Sequence, residues 1–386
     1  MSSEWSSRSL GEFVRLQRGH DLTASEQLAG SIPVMGSAGP NGTHSEALAK
    51  GPGLVIGRSG ASIGRVHFSE IDYWPHNTCL YVTDFLGNNP RFAYYLLQTL
   101  NLAGYNSGSA QPSLNRNFIY SIRIQVPDRW EQDEIAHLLN SLDDRIALLR
   151  EANATLEAIA QALFKSWFVD FNPVRANSQG LAPAGMDEAT AALFPDSFEG
   201  SALGLLPKGW PIGALQDLLV LQRGFDLPAQ DRAPGPFPII AASGPSGTHT
   251  RSMARGPGVV TGRSGVLGRV FLELNDYWPL NTTLWVKEFR AATPCYAYEV
   301  LSLLDFKSYN AGSAVPTLNR NHIHGLPYVI PARACVDAYD LLALQLHQRA
   351  RANEQQAQTL ATLRDTLLPR LISGQLRLPE AEALIA

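Results

Sequence analysis

Between Glu131 and Phe171 the apolar side chains fall at Ile135, Leu139, Leu142, Ile146, Leu149, Leu156, Ala160, Leu163 and Trp167, with Asn153 filling the one gap. The steps alternate four and three without a slip. That is a heptad seam, narrower than the apolar stripe of an ordinary amphipathic helix, and it requires a partner helix. A second helical run, Val336 to Ile372, supplies the partner through Tyr339, Ala343, Leu346, Ala350, Asn353, Ala357, Leu360, Arg364, Leu367 and Leu371. An antiparallel register with Asn153 opposite Asn353 sets Leu149 on Ala357, Leu156 on Ala350, Ala160 on Leu346, Leu163 on Ala343 and Trp167 on Tyr339. Large faces small nearly throughout, and a polar pair in one layer is a known way to fix register. Leu142 opposite Arg364 is the weakest layer of this arrangement.

The second helix is one part of a larger internal repeat. Leu16-Gln17-Arg18-Gly19-His20-Asp21-Leu22 returns as Leu221-Gln222-Arg223-Gly224-Phe225-Asp226-Leu227, offset by 205 residues. Gly57-Arg58-Ser59-Gly60 returns as Gly262-Arg263-Ser264-Gly265 at the same offset. One residue is then lost, so that Asp72-Tyr73-Trp74-Pro75 pairs with Asp276-Tyr277-Trp278-Pro279 at offset 204, as does Ser113-Leu114-Asn115-Arg116-Asn117 with Thr317-Leu318-Asn319-Arg320-Asn321. Two copies are too few for a solenoid, so this is a tandem duplication. Within each module, short runs such as Leu54–Ile56, Arg65–Phe68 and Thr78–Val82 between Gly and Pro read as strands. Arg91–Leu100 and Tyr296–Leu304 read as helices. The expected organisation is α+β: a module at 1–128, a long helix at 129–171, a linker loop at 172–205 with one short helix at Asp187–Leu193, a second module at 206–331, and a second long helix with its tail at 332–386.

Composition changes this picture little. The chain has 386 residues, ordinary apolar content and a formal net charge of −4. The acidity is local: residues 129–172 carry four Lys/Arg against eight Asp/Glu, whereas 206–331 carry eleven against eight. The modules are therefore neutral to slightly basic, which keeps nucleic acid among the candidate ligands. No apolar run approaches the roughly eighteen residues of a membrane span. The N-terminus lacks a signal-peptide core, so a cytoplasmic location is expected. Cys79, Cys295 and Cys335 lie too far apart for a zinc knuckle and read as buried, reduced thiols. No phosphate-binding loop, Asp/Asn-Pro-Pro-aromatic tetrapeptide, metal-spaced histidine set or nuclease carboxylate–lysine pattern is present. No metal, cofactor or catalytic residue is assigned to the chain.

Candidate binding groups cluster in the repeated loops. Arg58, Ser59, Ser62 and Arg65 bring two guanidiniums and exposed backbone N–H groups into one glycine-rich turn, which can approach phosphates closely. The alternative is a tight hairpin with solvated arginines. Asn106, Ser107, Ser109, Gln111, Asn115, Arg116 and Asn117 carry the donors and acceptors that read base edges, although Asn and Ser also build turns. Gln17, Arg18, His20, Asn41 and His44 complete the first set. The second set is Gln222, Arg223, Ser246, His249, Arg251, Arg263, Ser264, Arg269, Asn310, Ser313, Thr317, Asn319, Arg320 and Asn321. Trp74 and Trp278 read as plugs of the module cores. Residues common to both copies fit the scaffold or a common phosphate grip. Positions that differ, such as His20/Phe225, Asn41/Ser246, Glu46/Arg251, His76/Leu280, Leu102/Phe306 and Gln111/Val315, fit the reading of distinct bases.

The whole chain resembles the specificity (S) subunit of type I restriction–modification systems. The resemblance rests on the alternation of module and long helix. It also rests on Trp130-Glu131-Gln132, Leu142-Asp143-Asp144-Arg145-Ile146, Leu163 through Phe171, Leu206-Pro207-Lys208-Gly209-Trp210, and Leu371-Ile372-Ser373-Gly374-Gln375-Leu376. At the second helix start, Ala334-Cys335-Val336 departs from the Glu-Gln signature. The resemblance implies two target-recognition domains that each read one part of a split target in double-stranded DNA, spaced by the helix pair. It also implies recruitment of two methyltransferase subunits and, through them, restriction/translocase subunits. S-adenosylmethionine, ATP and magnesium would sit on those partners. Glu131, Gln132, Phe164, Lys165, Trp167, Phe168 and Phe171 are the implied docking residues. A helix of about forty residues spans roughly 60 Å, against about 34 Å for a turn of DNA, and the likeness of the copies predicts half-sites close to an imperfect inverted repeat. A repeat protein that binds protein or carbohydrate through its loops is the competing reading.

Overall fold

The computed structural model describes residues 5–108, 112–312 and 314–385. The chain divides into two compact units, residues 1–150 with 355–386 (unit 1) and residues 151–354 (unit 2).

In unit 1 the central sheet is antiparallel, in the order Arg15–Arg18, Cys79–Asp84, Gly53–Gly57, Val66–Ser69. Every residue of Gly53–Gly57 is buried. Strand alternation sends Leu54 and Ile56 to one face and Val55 to the other. Leu54 and Ile56 join Leu16, Leu80, Phe92 and Leu96 in the main core. Val55 joins Met35, Tyr73, Cys79 and Tyr81 in a smaller one. A strand covered on both faces reads as a continuous apolar run, which is why this one was legible. The second sheet, Gly39–His44, Ile32–Gly36, Trp74–Pro75, was not, because Pro33, Pro40 and its glycines mark turns instead. Ser6–Ser9 pairs with Arg123–Val126 and closes the module at the point where the long helix begins.

The module helix Pro90–Thr99 starts at Asn89, whose side chain accepts from the backbone N–H groups of Arg91 and Phe92. Gln132 holds this cap from the long helix: its Oε1 accepts from Asn89 N (3.0 Å), and its Nε2 donates to Asn88 Oδ1 (3.0 Å) and Pro127 O (3.1 Å). Phe92, Leu96 and Leu97 then pack with Ile135, Leu139, Leu142, Leu367 and Leu371 of the long helices. Each such side chain, fully buried, stabilises by about 1.5–3 kcal/mol.

Unit 2 repeats the plan. Its central sheet runs Leu219–Arg223, Thr283–Phe289, Gly258–Gly262, Val270–Glu273, and its second sheet Gly244–His249, Phe237–Ala241, Trp278–Pro279. Ile212–Ala214 pairs with Pro327–Val329. The module helix Pro294–Ser302 is capped differently: Thr293 makes no side-chain cap bond, and Asp340 of the long helix accepts from Cys295 N at 2.8 Å. Cys335 and Val336, standing where unit 1 has Glu131 and Gln132, are fully buried in the core. Cys79, Cys295 and Cys335 are all buried and unpaired, and burial pushes the thiols of Cys79 and Cys335 up to about 12.

The stretch expected as a linker loop is ordered. It forms the helices Asn172–Ser178 and Glu188–Ala191 and the hairpin Phe198–Ser201 with Gly204–Pro207. Val174, Phe194 and Trp210 anchor it on Trp167 and Phe168. These anchors follow no helical or strand period, so the pattern of the sequence conceals them.

The long helices are Arg129–Phe164, continued by a π-helical turn Lys165–Val169, and Arg333–Ile372. They pair antiparallel within each unit. In unit 1, Ile146 and Leu149 pack with Ala357 and Leu360, as the seam register requires. In unit 2, Trp167 meets Tyr339 with ring centroids 6.2 Å apart, and the Tyr339 hydroxyl donates to Ala160 O at 3.2 Å. Asn353 is buried, but Asn153 Oδ1 has no hydrogen-bond partner, and no bond joins the two among the described residues. A polar contact lies instead in the layer expected to be weakest, where Arg364 donates to Asp143 Oδ1 at 2.5 Å.

Candidate nucleic-acid interface

In unit 1 three separate segments converge on a groove of about 700 Å³: Gln17–His20, Arg58, and Ser113–Asn117 with Ser107. Backbone bonds bring them together. Leu114 N donates to Arg58 O (2.8 Å), Gly60 N to Pro112 O (3.2 Å) and Ser107 N to Ser113 O (2.9 Å). Glycine is required at Gly19, where a Cβ would stand 2.0 Å from His76 O, and at Gly57, where it would stand 2.0 Å from Ser62 O.

Three guanidiniums line the groove. Arg58 uses one nitrogen to hold Asn77 O (3.0 Å) and Arg116 one to hold Leu16 O (2.7 Å). A guanidinium carries five N–H donors in a fixed fork, so each side chain is positioned by the fold and keeps donors for a ligand. Arg18 pairs with Asp21 at 3.2 Å, both largely exposed. Asn77 also donates to Asp21, and that bond, helped by Arg18, holds the Asp21 carboxyl below the usual carboxylate range.

Unit 2 builds the same groove from the same positions, about 430 Å³ in volume and lined by Arg223, Arg263, Arg320, Thr317 and Asn319. Arg263 holds Asn281 O (3.3 Å), Arg320 holds Leu221 O (3.4 Å), and Arg223 pairs with Asp226 (3.1 Å). Leu318 N donates to Arg263 O at 2.8 Å, matching the bond from Leu114 to Arg58.

Other candidates fall elsewhere. His44 and His249 are buried: each accepts a backbone N–H through Nδ1, from Leu28 (3.0 Å) and Ala233 (3.2 Å), and each packs edge-on against Trp74 or Trp278. They are structural. Asn106 and Asn310 are occupied by their own loops, since each carboxamide oxygen accepts two backbone N–H groups and each amide donates to a glycine carbonyl. Asn115 and Asn319 cap the short helices at Arg116 and Arg320 through their oxygens. Asn41, Ser59, Ser62 and Arg65 are outside the lining of the first groove. Gln222, Ser246, Arg251, Ser264, Arg269 and Asn321 are outside that of the second. Arg269 instead holds Ser243 O at 2.8 Å, and Arg232 reaches Ser246 at 3.4 Å. Ser109, Gln111 and Ser313 lie outside the described residues. Sequence reading missed Ser113, although its repeat partner Thr317 was a candidate, and the alignment of the two copies was signal enough to find it.

The implied docking residues need a similar correction. Gln132, Phe164, Trp167 and Phe168 are buried and pack inside their units. Glu131 is buried and faces Arg377 Nη1 at 3.4 Å. Phe171 packs on Phe198 and Trp210, and Lys165 pairs with Asp170 at 2.5 Å on the surface. The heptad pattern and family phrases do not distinguish a helix side chain used for internal packing from one left for a partner.

The duplicated α+β architecture places one arginine-lined groove in each unit. Comparison with known proteins shows what the chain resembles. Residues 2–158 match the family described as type I restriction modification DNA specificity domain. The chain is 24% identical over 320 residues to the type I restriction enzyme MjaIX specificity subunit of Methanocaldococcus jannaschii, covering 75% of this chain and 69% of that one. It is 40% identical over 99 residues to the HindI specificity subunit of Haemophilus influenzae, covering 24% of this chain and 22% of that one. In fold it is similar to the crystal structure of a type I restriction–modification S subunit from M. genitalium, with a TM-score of 0.66, 16% identity and 96% of both chains covered. The match to the type I restriction–modification DNA-specificity family therefore covers the first module and the start of the long helix, and the second module resembles the first through the internal duplication. Among the described residues, no helix is long and apolar enough to cross a membrane.

Proposed function

We propose that this chain is the sequence-specific DNA-recognition subunit of a type I restriction–modification complex. Each module reads one half of a bipartite duplex target. What carries the reading is the recurrence of the same three arginines in both grooves, two of them held by the same backbone carbonyls and the third paired with the same aspartate. Clamped guanidiniums with spare donors suit phosphate oxygens, and the neighbouring Asn, Gln and Ser groups suit base edges. The chain is non-catalytic and cytoplasmic. Methyltransferase subunits, with restriction subunits beyond them, supply the chemistry together with S-adenosylmethionine, ATP and magnesium. Exposed helix side chains such as Trp130, Leu148 and Leu341 are the docking candidates that remain once the buried ones are removed.

The test is duplex-DNA binding by the assembled methyltransferase complex across a salt series. Arg58→Ala and Arg263→Ala should each weaken binding and lower the slope of log K against log salt by about one. Unchanged affinity and slope in both variants would remove DNA from the grooves and favour a protein or carbohydrate ligand.

A further inference from the structure

The two grooves share their arginines, but the flank beside them differs: His20 lines the first groove, whereas its counterpart Phe225, two residues from Arg223, is outside the lining of the second. In unit 1 this flank is polar. The backbones of His20 and His76 bridge, and His20 Nε2 lies 3.3 Å from the Tyr81 hydroxyl, with the rings 5.9 Å apart. His76 Nδ1 lies 3.0 Å from Thr78 Oγ1. In unit 2 the corresponding residues are Phe225, Leu280 and Trp285. Phe225 bridges Leu280 in the same way, and its ring packs 6.0 Å from that of Trp285. The backbone frame is therefore common to both units, while three polar side chains in one stand where the other has three largely apolar ones. Ser107 in the first groove likewise becomes Ala311 in the second.

His20 is half-buried and lines its groove, and its Nδ1 has no partner among the described residues. A ring nitrogen held at a groove wall by a tyrosine behind it can hydrogen-bond a base edge. A phenylalanine in the same frame cannot, but it can meet the C5-methyl group of thymine. We propose that this flank is where the two modules diverge in base recognition. His20, positioned by Tyr81, hydrogen-bonds a base edge in one half-site, and Phe225 makes an apolar contact at the matching position of the other. The proposal rests on the grooves being the DNA sites.

The experiment measures binding of the assembled methyltransferase complex to duplexes varied one base pair at a time. It compares the unaltered chain, His20→Phe, His20→Gln, Phe225→His, Arg58→Ala and Arg263→Ala. Changing His20 to Phe should alter the preference at a single position of one half-site by roughly 10-fold, toward the base favoured by the other half, with the salt slope retained. Phe225→His should shift the matching position of the other half in the opposite sense. His20→Gln keeps a donor and an acceptor, so it should retain a polar-base preference even if His20→Phe folds poorly. If all three flank variants leave every positional preference unchanged, or weaken all sequences equally, while the arginine variants still lose affinity, the flank proposal is overturned and the groove reading stands. If the arginine variants bind as tightly as the unaltered chain, both fall together.

Discussion

In unit 1 the layer between module helix and long helices is a hydrogen-bonded network. The Tyr95 hydroxyl donates to Asp143 Oδ2 at 2.6 Å, and Arg364 donates to Asp143 Oδ1 at 2.5 Å. Burial, reinforced by the Asp143 carboxylate, holds the Tyr95 phenol well above its ordinary range, so it stays a donor. In unit 2 the matching residues are Glu299 and His347, and the network is absent. Glu299 Oε1 and His347 Nε2 are buried without partners. Burial, with the charge of Glu157 nearby, pushes the Glu299 carboxyl up to about 7, and burial lowers the His347 pKa. The helix starts differ in the same way, with Gln132 bonding the module in unit 1 and Val336 filling apolar space in unit 2. Two copies of one scaffold thus keep their strand order and groove arginines while using different chemistry where they meet the long helices. A packing layer can be satisfied by several side-chain sets. A groove that must present guanidiniums at fixed points, between glycines that admit no Cβ, has far fewer solutions.

The comparison breaks most sharply at Asp143. Asp143→Ala leaves the Tyr95 hydroxyl without its acceptor and removes one of the two carboxylate partners of Arg364, which keeps Asp365; because the ion pair is partly exposed the expected loss is about 1–3 kcal/mol. Urea unfolding, read locally by amide exchange of the Pro90–Thr99 helix, measures it. His347→Ala removes no such network and should cost unit 2 less than half as much. Equal losses would mean that the polar network of unit 1 contributes nothing special.

Gln132→Val gives unit 1 the helix start of unit 2 and removes the acceptor for Asn89 N and the donor to Asn88. It should cost about 1–3 kcal/mol through those unsatisfied groups. Asp340→Ala, which uncaps the module helix of unit 2, should cost about 1 kcal/mol. The same exchange measurement on Pro294–Ser302 reads the second loss.

The smallest effect is a pH dependence confined to unit 2. Because the Glu299 pKa is raised on folding, its protonated form favours the folded state. The stability it confers is full below the unfolded carboxylate value near 4.5 and is lost as pH rises through about 7. Glu299→Gln should therefore flatten the melting temperature between pH 5 and pH 8 and raise it at pH 8 by roughly 2–5 °C. An unchanged slope would show that Glu299 is solvated in solution.

Much of this fold was legible because its signals are periodic or repeated. The heptad seam identified the helix pair, and the shared offset identified two modules with matching loops. What was missed depends on contacts between residues remote in the chain. The strands holding Pro33 and Pro40 are extended because of their neighbours, and Val174, Phe194 and Trp210 order the linker through packing that has no period. Arg58 and Arg116 were legible as binding candidates. That they share a groove with Arg18, whereas Arg65 does not line it, depends on the bond between Leu114 and Arg58 that no local pattern encodes. Asn106 and His44 resemble ligand-binding groups in sequence because turn-building and core-satisfying residues are drawn from the same polar set.

The most direct test of the central claim, that two related modules read two related half-sites, is a map of methylated bases in DNA from cells carrying this chain with its methyltransferase partner. The account predicts a bipartite motif whose halves, once one is reverse-complemented, agree at most positions and differ at few. A contiguous motif, or two halves with no resemblance after reverse complementation, would contradict it.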